Sequence, residues 1–182
     1  TGFRNMLHQL TGFIDDDLCQ SFTTYALRER LHNFKSYGKE MPDTHGVYKD
    51  KFAQACLFFL QGRVQKYFKD DIHPSYAYYI VYEHGHRLTK HVDKNACEIT
   101  LTIHTGHLYG DSYKGSTWPI FFDDTPIPLN VGDALMYEQK THKPVHWRKP
   151  FEGIYQVQLL LHYVSGDKDK IPYPVKDLIE TA

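Results

Sequence analysis

The stretch Tyr79-Ile80-Val81-Tyr82-Glu83-His84-Gly85-His86, followed by His91-Val92-Asp93, decides how this chain is read. β-Branched and aromatic residues run into a tight glycine turn, and a second short extended segment follows. Successive side chains on a strand point to opposite faces, so His91 and Asp93 share one face and can grip a single ion. Roughly fifty residues later comes His142-Lys143-Pro144-Val145-His146-Trp147-Arg148, which offers a second imidazole from a distant strand.

Outward from that stretch, short β-type segments separated by turn residues continue to the end of the chain's second half. Expected strands are 76–83, 87–92, 98–105, 118–122, 134–138, 145–148 and 155–164, with connecting loops at 106–115 and 123–128. Many short strands at this spacing indicate a jelly roll or sandwich rather than a parallel α/β sheet. The first third reads helical. Asp15-Asp16-Asp17 supplies an N-cap and first-turn negative charge ahead of Leu18, Phe22, Tyr25, Ala26 and Leu31. A polar loop is expected over 36–46. A second helix from Lys51 to Phe68 carries an apolar stripe of Phe52, Ala55, Cys56, Phe59, Leu60 and Val64, read as core. The expected organisation is one domain over 1–182: a helical part at 1–74, a jelly-roll core at 75–165, and a tail at 166–182 with a last short helix near 175–180. The expected fold is mainly β, a double-stranded β-helix with N-terminal helices packed on it.

Composition narrows the function classes. The 21 Lys and Arg nearly balance the 22 Asp and Glu, so no basic surplus points to nucleic acid and no polybasic run to an anionic membrane. No run approaches eighteen apolar residues, and Thr1 to Leu10 lacks a signal peptide's charged-then-apolar plan. Cys19, Cys56 and Cys97, odd in number and widely spaced, fit neither a disulfide framework nor a zinc motif. A reducing, cytoplasmic setting is the expectation. The 14 Tyr, 12 His and 11 Phe suit a β-rich fold with a polar, ligand-holding interior.

Two histidines and one carboxylate form the ligand set that holds one face of an octahedral iron(II) and leaves the other positions open. The order of blocks resembles the iron(II)/2-oxoglutarate-dependent oxygenases, in particular their prolyl-hydroxylase-like branch. After the tyrosine, turn and H-x-D come Glu98-Ile99-Thr100-Leu101-Thr102-Ile103-His104, Trp118-Pro119-Ile120-Phe121-Phe122 and Val131-Gly132-Asp133-Ala134-Leu135-Met136-Tyr137. His146-Trp147-Arg148 and Tyr155-Gln156-Val157-Gln158-Leu159-Leu160-Leu161-His162-Tyr163 complete the series. The resemblance spans roughly residues 76–164, and the ordered blocks are more specific than H-x-D alone. It implies that His91, Asp93 and His146 ligate iron, with His142 as a competitor for the third place. His84 and His86 suggest a cupin metal motif, but no glutamate follows at the required spacing, and both read as turn or rim residues.

One departure concerns the cosubstrate. In much of the family an Arg or Lys on the final strand, nine or ten residues after the second histidine, takes the distal carboxylate of 2-oxoglutarate. Here those positions are Tyr155 and Gln156. Alternation puts Thr100, Thr102 and His104 on the metal's face, so Tyr82, Thr102, a protonated His104 and Gln156 are candidate carboxylate partners, and Arg148 is another candidate cation. The resemblance implies oxidation of a substrate C–H bond coupled to turnover of O2 and 2-oxoglutarate to succinate and CO2. Asp93 favours hydroxylation over halogenation, because related halogenases carry a small residue there. The preferred substrate is a small amino-acid-like molecule or a peptidyl side chain, with Tyr76, Tyr78, Trp118, Phe121 and Trp147 as expected pocket walls. Two other readings remain: a jelly-roll iron protein that does not use 2-oxoglutarate, and a non-catalytic jelly-roll binding module.

Overall fold

In the computed structural model, which describes residues 7–38, 41–94, 97–140 and 143–166, the chain opens with β1 (Leu7–Leu10) and α1 (Asp16–His32). A short hairpin of β2 (Ser36–Tyr37) and β3 (Met41–Tyr48) leads to α2 (Lys51–Gln65). The remaining strands are β4 (Ile72–Glu83), β5 (Leu88–His91), β6 (Ile99–Leu108), β7 (Ile120–Phe122), β8 (Thr125–Ile127), β9 (Ala134–Glu138), β10 (His146–Arg148) and β11 (Tyr155–Ser165). They form a seven-stranded sheet, β1-β9-β6-β11-β4-β3-β2, and a four-stranded sheet, β5-β10-β7-β8, with antiparallel neighbours throughout. This is a mainly β, jelly-roll architecture with helices on one side, as the strand spacing led us to expect.

Period-two alternation sorts the large sheet's side chains into two compartments. Ala77, Tyr79 and Val81 of β4, Ile99, Leu101 and Ile103 of β6, and Val157, Leu159 and Leu161 of β11 pack against α1 and α2 in the main apolar core. The opposite face looks toward the small sheet and is markedly more polar. It carries Thr100, Thr102 and His104 of β6 and Gln156, Gln158 and His162 of β11, all buried. Smaller apolar clusters flank this polar strip, with Ile80, Tyr82, Leu88 and Trp118 in one and Ile120, Phe122, Leu135 and Tyr137 in the other.

Both helices start at aspartates. Asp15 accepts from the Leu18 amide, and Asp50 accepts from those of Phe52 and Ala53, satisfying N–H groups the first turn leaves free. Asp50 also accepts from the Tyr25 hydroxyl, which ties the two helices together. The α2 stripe lies rotated from its expected position: Ala53, Cys56, Leu57, Leu60 and Val64 are buried, whereas Phe59 is 68% exposed under the Arg63 guanidinium. Leu31 of α1 is likewise exposed. α2 stops at Gln65 rather than Phe68 because Tyr67 and Phe68 bond back only three residues, tightening the chain out of the α-helix.

Three segments differ in kind from the sequence reading. The span 36–46, expected as a loop, supplies the edge strand β2 and most of its neighbour β3 in the large sheet. Pro42 and the positive φ of Asp43 are tolerated there because they fall in the register irregularity between the Tyr37–Met41 and Ser36–His45 pairs, ahead of His45 where the pairing with β4 begins. Gly46 leaves room for the Tyr37 ring, which a Cβ at that position would meet at 2.7 Å. The span 123–128 contains β8, joined to β7 by an Asp123-Asp124 turn with Asp123 at φ 51°. β6 runs on to Leu108, past a bulge where it pairs with β11 between Val157 and Gln158. Residues 167–182, including the expected terminal helix, lie outside the described residues.

Candidate metal centre

β5 and β10 pair so that His91 and His146 are direct neighbours across the ladder. Their ring centroids lie 4.2 Å apart. Asp93 sits just beyond the end of β5, and its Oδ1 lies 3.4 Å from His91 Nε2 and 3.2 Å from His146 Nε2. One donor atom from each of the three residues lies within 4.8 Å of the others. Local hydrogen bonds fix which nitrogen faces inward. His91 Nδ1 donates to the Thr89 carbonyl and His146 Nδ1 to the Pro144 carbonyl. A carbonyl can only accept, so in the neutral rings both Nε2 atoms carry lone pairs aimed at the carboxylate. Two bare nitrogens and a carboxylate oxygen held this close repel one another unless a cation lies among them. The chemistry of the donor set therefore fits a divalent metal such as iron(II).

The carboxylate is itself held from behind. Asp93 Oδ2 accepts from the Tyr137 hydroxyl at 3.0 Å and from Gln139 Nε2 at 3.1 Å, leaving Oδ1 turned toward the histidines. Burial pushes the Asp93 pKa up, but without a metal the bonds that His146 and His91 donate from Nε2 when their rings are protonated outweigh it and hold the carboxyl far below the usual carboxylate range. Phe122 stacks on the His146 ring and restricts its rotation. Tyr137 and Gln139 were not singled out from sequence as site residues. Their signal was the period of β9, which puts Leu135, Tyr137 and Gln139 on one face.

A cavity between the two sheets is lined by His91, Asp93 and His146 and also by Tyr82, Thr102 and Arg148. Arg148 lies two residues along β10 from His146 and therefore on the same face. It is 3% exposed. Its Nη1 donates to the Trp118 carbonyl at 2.8 Å, and its guanidinium lies against the rings of Trp118 and Tyr82. Among the described residues no carboxylate lies within ion-pair distance of it. Burial lowers the Arg148 pKa, yet an arginine keeps its charge in proteins. A buried cation without a counter-ion is costly, and an anionic ligand would relieve that cost.

The other candidates fall into two groups. Thr102 lines the cavity and donates to Gln158 Oε1. Tyr82 lines it too, with its hydroxyl on Met41 Sδ. His104 and Gln156 do not line it. His104 Nδ1 donates to the Leu129 carbonyl, and Nε2 faces His107 Nδ1 at 3.1 Å. Burial, then His107 and Arg148, depress its pKa to about 4 despite the Leu129 bond, so at neutral pH it is not the cation the sequence reading required. Gln156 accepts from the Tyr109 hydroxyl, which in turn accepts from the Trp118 amide.

Of the expected pocket walls, Tyr78 lines the cavity, Trp118 backs Arg148 and Tyr76 packs on His162. Phe121 and Trp147 stack on each other on the opposite face of the small sheet. With His146 and Arg148 pointing inward, alternation forces Trp147 outward, and Phe121 is its ladder partner. His86 is a turn residue, its Nδ1 accepting from the Glu83 amide. His142 lies outside the described residues.

No protein-family model matches the sequence, and no curated protein matches it. Solved structures do. The viral collagen prolyl hydroxylase of Paramecium bursaria Chlorella virus-1, determined as a complex with 2-oxoglutarate, aligns with a TM-score of 0.65 at 14% identity, over 88% of this chain and 97% of that one. The chain has the fold of the prolyl hydroxylases. A Trichoplax adhaerens prolyl hydroxylase, determined with a peptide fragment of a hypoxia-inducible factor, aligns at 0.65 and 12% identity over 87% of this chain and 84% of that one. The fold extends to the non-heme α-ketoglutarate-dependent epimerase SnoN of nogalamycin biosynthesis, at 0.68 and 11% identity over 90% and 78% of the two chains.

Proposed function

We propose that the protein is an iron(II)- and 2-oxoglutarate-dependent oxygenase that hydroxylates an unactivated C–H bond of a small amino-acid-like molecule or a peptidyl side chain. The observation that carries the reading is that one buried cavity joins a two-histidine, one-carboxylate cluster to Arg148, a buried cation with no carboxylate partner among the described residues. His91, Asp93 and His146 would hold iron(II). When bound, the metal would let O2 act as the oxidant, one oxygen atom going to the substrate C–H bond and the other to the keto acid, which leaves as succinate and CO2. Tyr137 and Gln139 keep Asp93 aimed at the metal position, and the carbonyls of Thr89 and Pro144 hold both imidazoles in the ligating tautomer.

Arg148 would take the distal carboxylate. It supplies from β10 the charge that Tyr155 and Gln156 of β11 lack, so the site has an anchor even though the final strand has no cation at those positions. A planar guanidinium clasped by Trp118 and Tyr82 is held rigidly enough to orient a five-carbon diacid toward the metal position. The side chains of Ile80, Leu88, Ile120 and Leu160 make the rest of the cavity wall apolar. Both substrate classes are compatible with the fold, since the solved structures that share it include a hydroxylase determined with a peptide and an epimerase of nogalamycin biosynthesis.

The test is anaerobic titration with iron(II) and then 2-oxoglutarate, read by visible absorption, with His91→Ala as control. A charge-transfer band present in the wild type and missing in the variant supports the reading. Iron binding without a band on adding 2-oxoglutarate removes the cosubstrate from it, and no iron binding at all removes the whole reading.

A further inference from the structure

We infer that Gln158 is a second anchor for the distal carboxylate, donating its amide from the large sheet while Arg148 acts from the small one; this rests on the function proposed above. Gln158 is 1% exposed and lines the same cavity as Arg148 and the three candidate ligands. Its Oε1 accepts from the Thr102 hydroxyl at 3.1 Å, whereas its Nε2 is buried with no hydrogen-bond partner. Buried amides almost always find partners, and an unpaired one is costly. An N–H pair kept free in a cavity beside an unpaired cation is what an anionic ligand needs.

Position along β11 says which end of the ligand it meets. His162 marks the metal end, because it is bonded to Thr100, which Gln139 reaches together with Asp93. Gln156 marks the other end, because Tyr109 links it to Trp118, whose carbonyl holds Arg148. Gln158 lies between them, two residues from Gln156 and four from His162, on the same face of the strand. Among the described residues two other buried side-chain polar atoms lack partners, Gln139 Oε1 and His162 Nε2, but neither residue lines the cavity. Gln158 thus presents an unused neutral donor to it. Being neutral, it adds a hydrogen bond without cancelling the charge of Arg148. Thr102 is its positioning residue: by occupying Oε1 it turns Nε2 into the cavity.

The experiment measures affinities by calorimetry, without oxygen, on manganese(II)-loaded protein. The ligands are 2-oxoglutarate and 2-oxobutyrate, a keto acid with no distal carboxylate. Gln158→Met is expected to weaken 2-oxoglutarate by about tenfold or more, as loss of a hydrogen bond to a charged group does. Metal affinity and 2-oxobutyrate affinity should stay within about twofold. Gln158→Glu, whose carboxylate would pair with Arg148, should weaken 2-oxoglutarate by about a hundredfold. Thr102→Val should give a smaller loss than Gln158→Met. An unchanged 2-oxoglutarate affinity in Gln158→Met overturns the assignment, and so does an equal loss for both keto acids, which would place Gln158 at the other end of the ligand. If Gln158→Met does not fold, unchanged affinity in both Gln158→Glu and Thr102→Val overturns it. Absence of 2-oxoglutarate binding by the wild type is a different result, and it defeats the function proposed above.

Discussion

His91 and His146 are direct partners across the β5–β10 ladder, with Asp93 Oδ1 within 3.4 Å of one and 3.2 Å of the other. Antiparallel pairing, not a flexible loop, therefore sets the distance between the imidazoles. Replacing either histidine with alanine should abolish stoichiometric iron(II) binding while leaving the far-ultraviolet circular dichroism unchanged. Asp93→Gly should abolish substrate oxidation and succinate formation together, and persistence of both activities would remove Asp93 from the ligand set.

Tyr137 and Gln139 touch only the far oxygen of Asp93. Gln139→Leu should weaken metal binding by about ten- to a hundredfold, the usual cost of losing a partner that orients a ligand. Tyr137→Phe, which removes only a hydroxyl, should act in the same direction. Competition against a metallochromic chelator measures both. Wild-type metal affinity in both variants would mean that Asp93 is oriented without them.

The fold was legible because many short strand-like segments are separated by turn residues through the second half of the chain, and because the ordered blocks from Tyr79 to Tyr163 keep their sequence. His91, Asp93 and His146 were legible for the same reason. Less was visible near the sheet's edge: Met41–Tyr48 contains a proline and a glycine that read as loop residues, and it is a strand only through its pairing with β2 and β4. Choosing between Gln156 and Gln158 needed the register of β11 against β6 and β4. Both share a face, and only the paired structure shows which one reaches the cavity. The depressed pKa of His104 could not be read from sequence at all, since it comes from burial and from His107 and Arg148, which are distant or uninformative along the chain.

Arg148 makes opposite predictions for the free and the bound protein. Arg148→Met should cost 2-oxoglutarate affinity at least about a hundredfold, because a buried charge-assisted contact is lost. Without ligand, the same change removes a buried cation that no carboxylate among the described residues offsets, so the melting temperature of the metal-free protein should rise. Arg148→Lys should also lose affinity, because an ammonium cannot reproduce the planar contact with Trp118. Calorimetry and thermal melts read the two effects. A melting temperature that falls in Arg148→Met would show that the guanidinium stabilises the fold itself.

Acid should destabilise the metal-free protein well above the carboxylate range, because His45, His104 and His162 are buried and held near pKa 4, chiefly by desolvation. Each is about 6.5 in the unfolded chain. Between these values the unfolded state binds more protons than the folded one, so stability is full above about pH 6.5 and falls as pH drops toward 4. Asp93 adds to the loss only at lower pH, since its carboxyl lies below the ordinary range when folded. His45 has a specific reason to stay neutral: Nδ1 accepts from the Lys35 amide and Nε2 bonds the Tyr79 hydroxyl, so protonation would break the first contact. Melting temperatures from pH 7.5 to 5.0, taken in the presence of a chelator, should therefore fall steeply. His104→Asn, which keeps a donor for the Leu129 carbonyl but does not titrate, should flatten that fall. An identical slope in wild type and variant would mean that His104 is not one of the groups that protonate on unfolding.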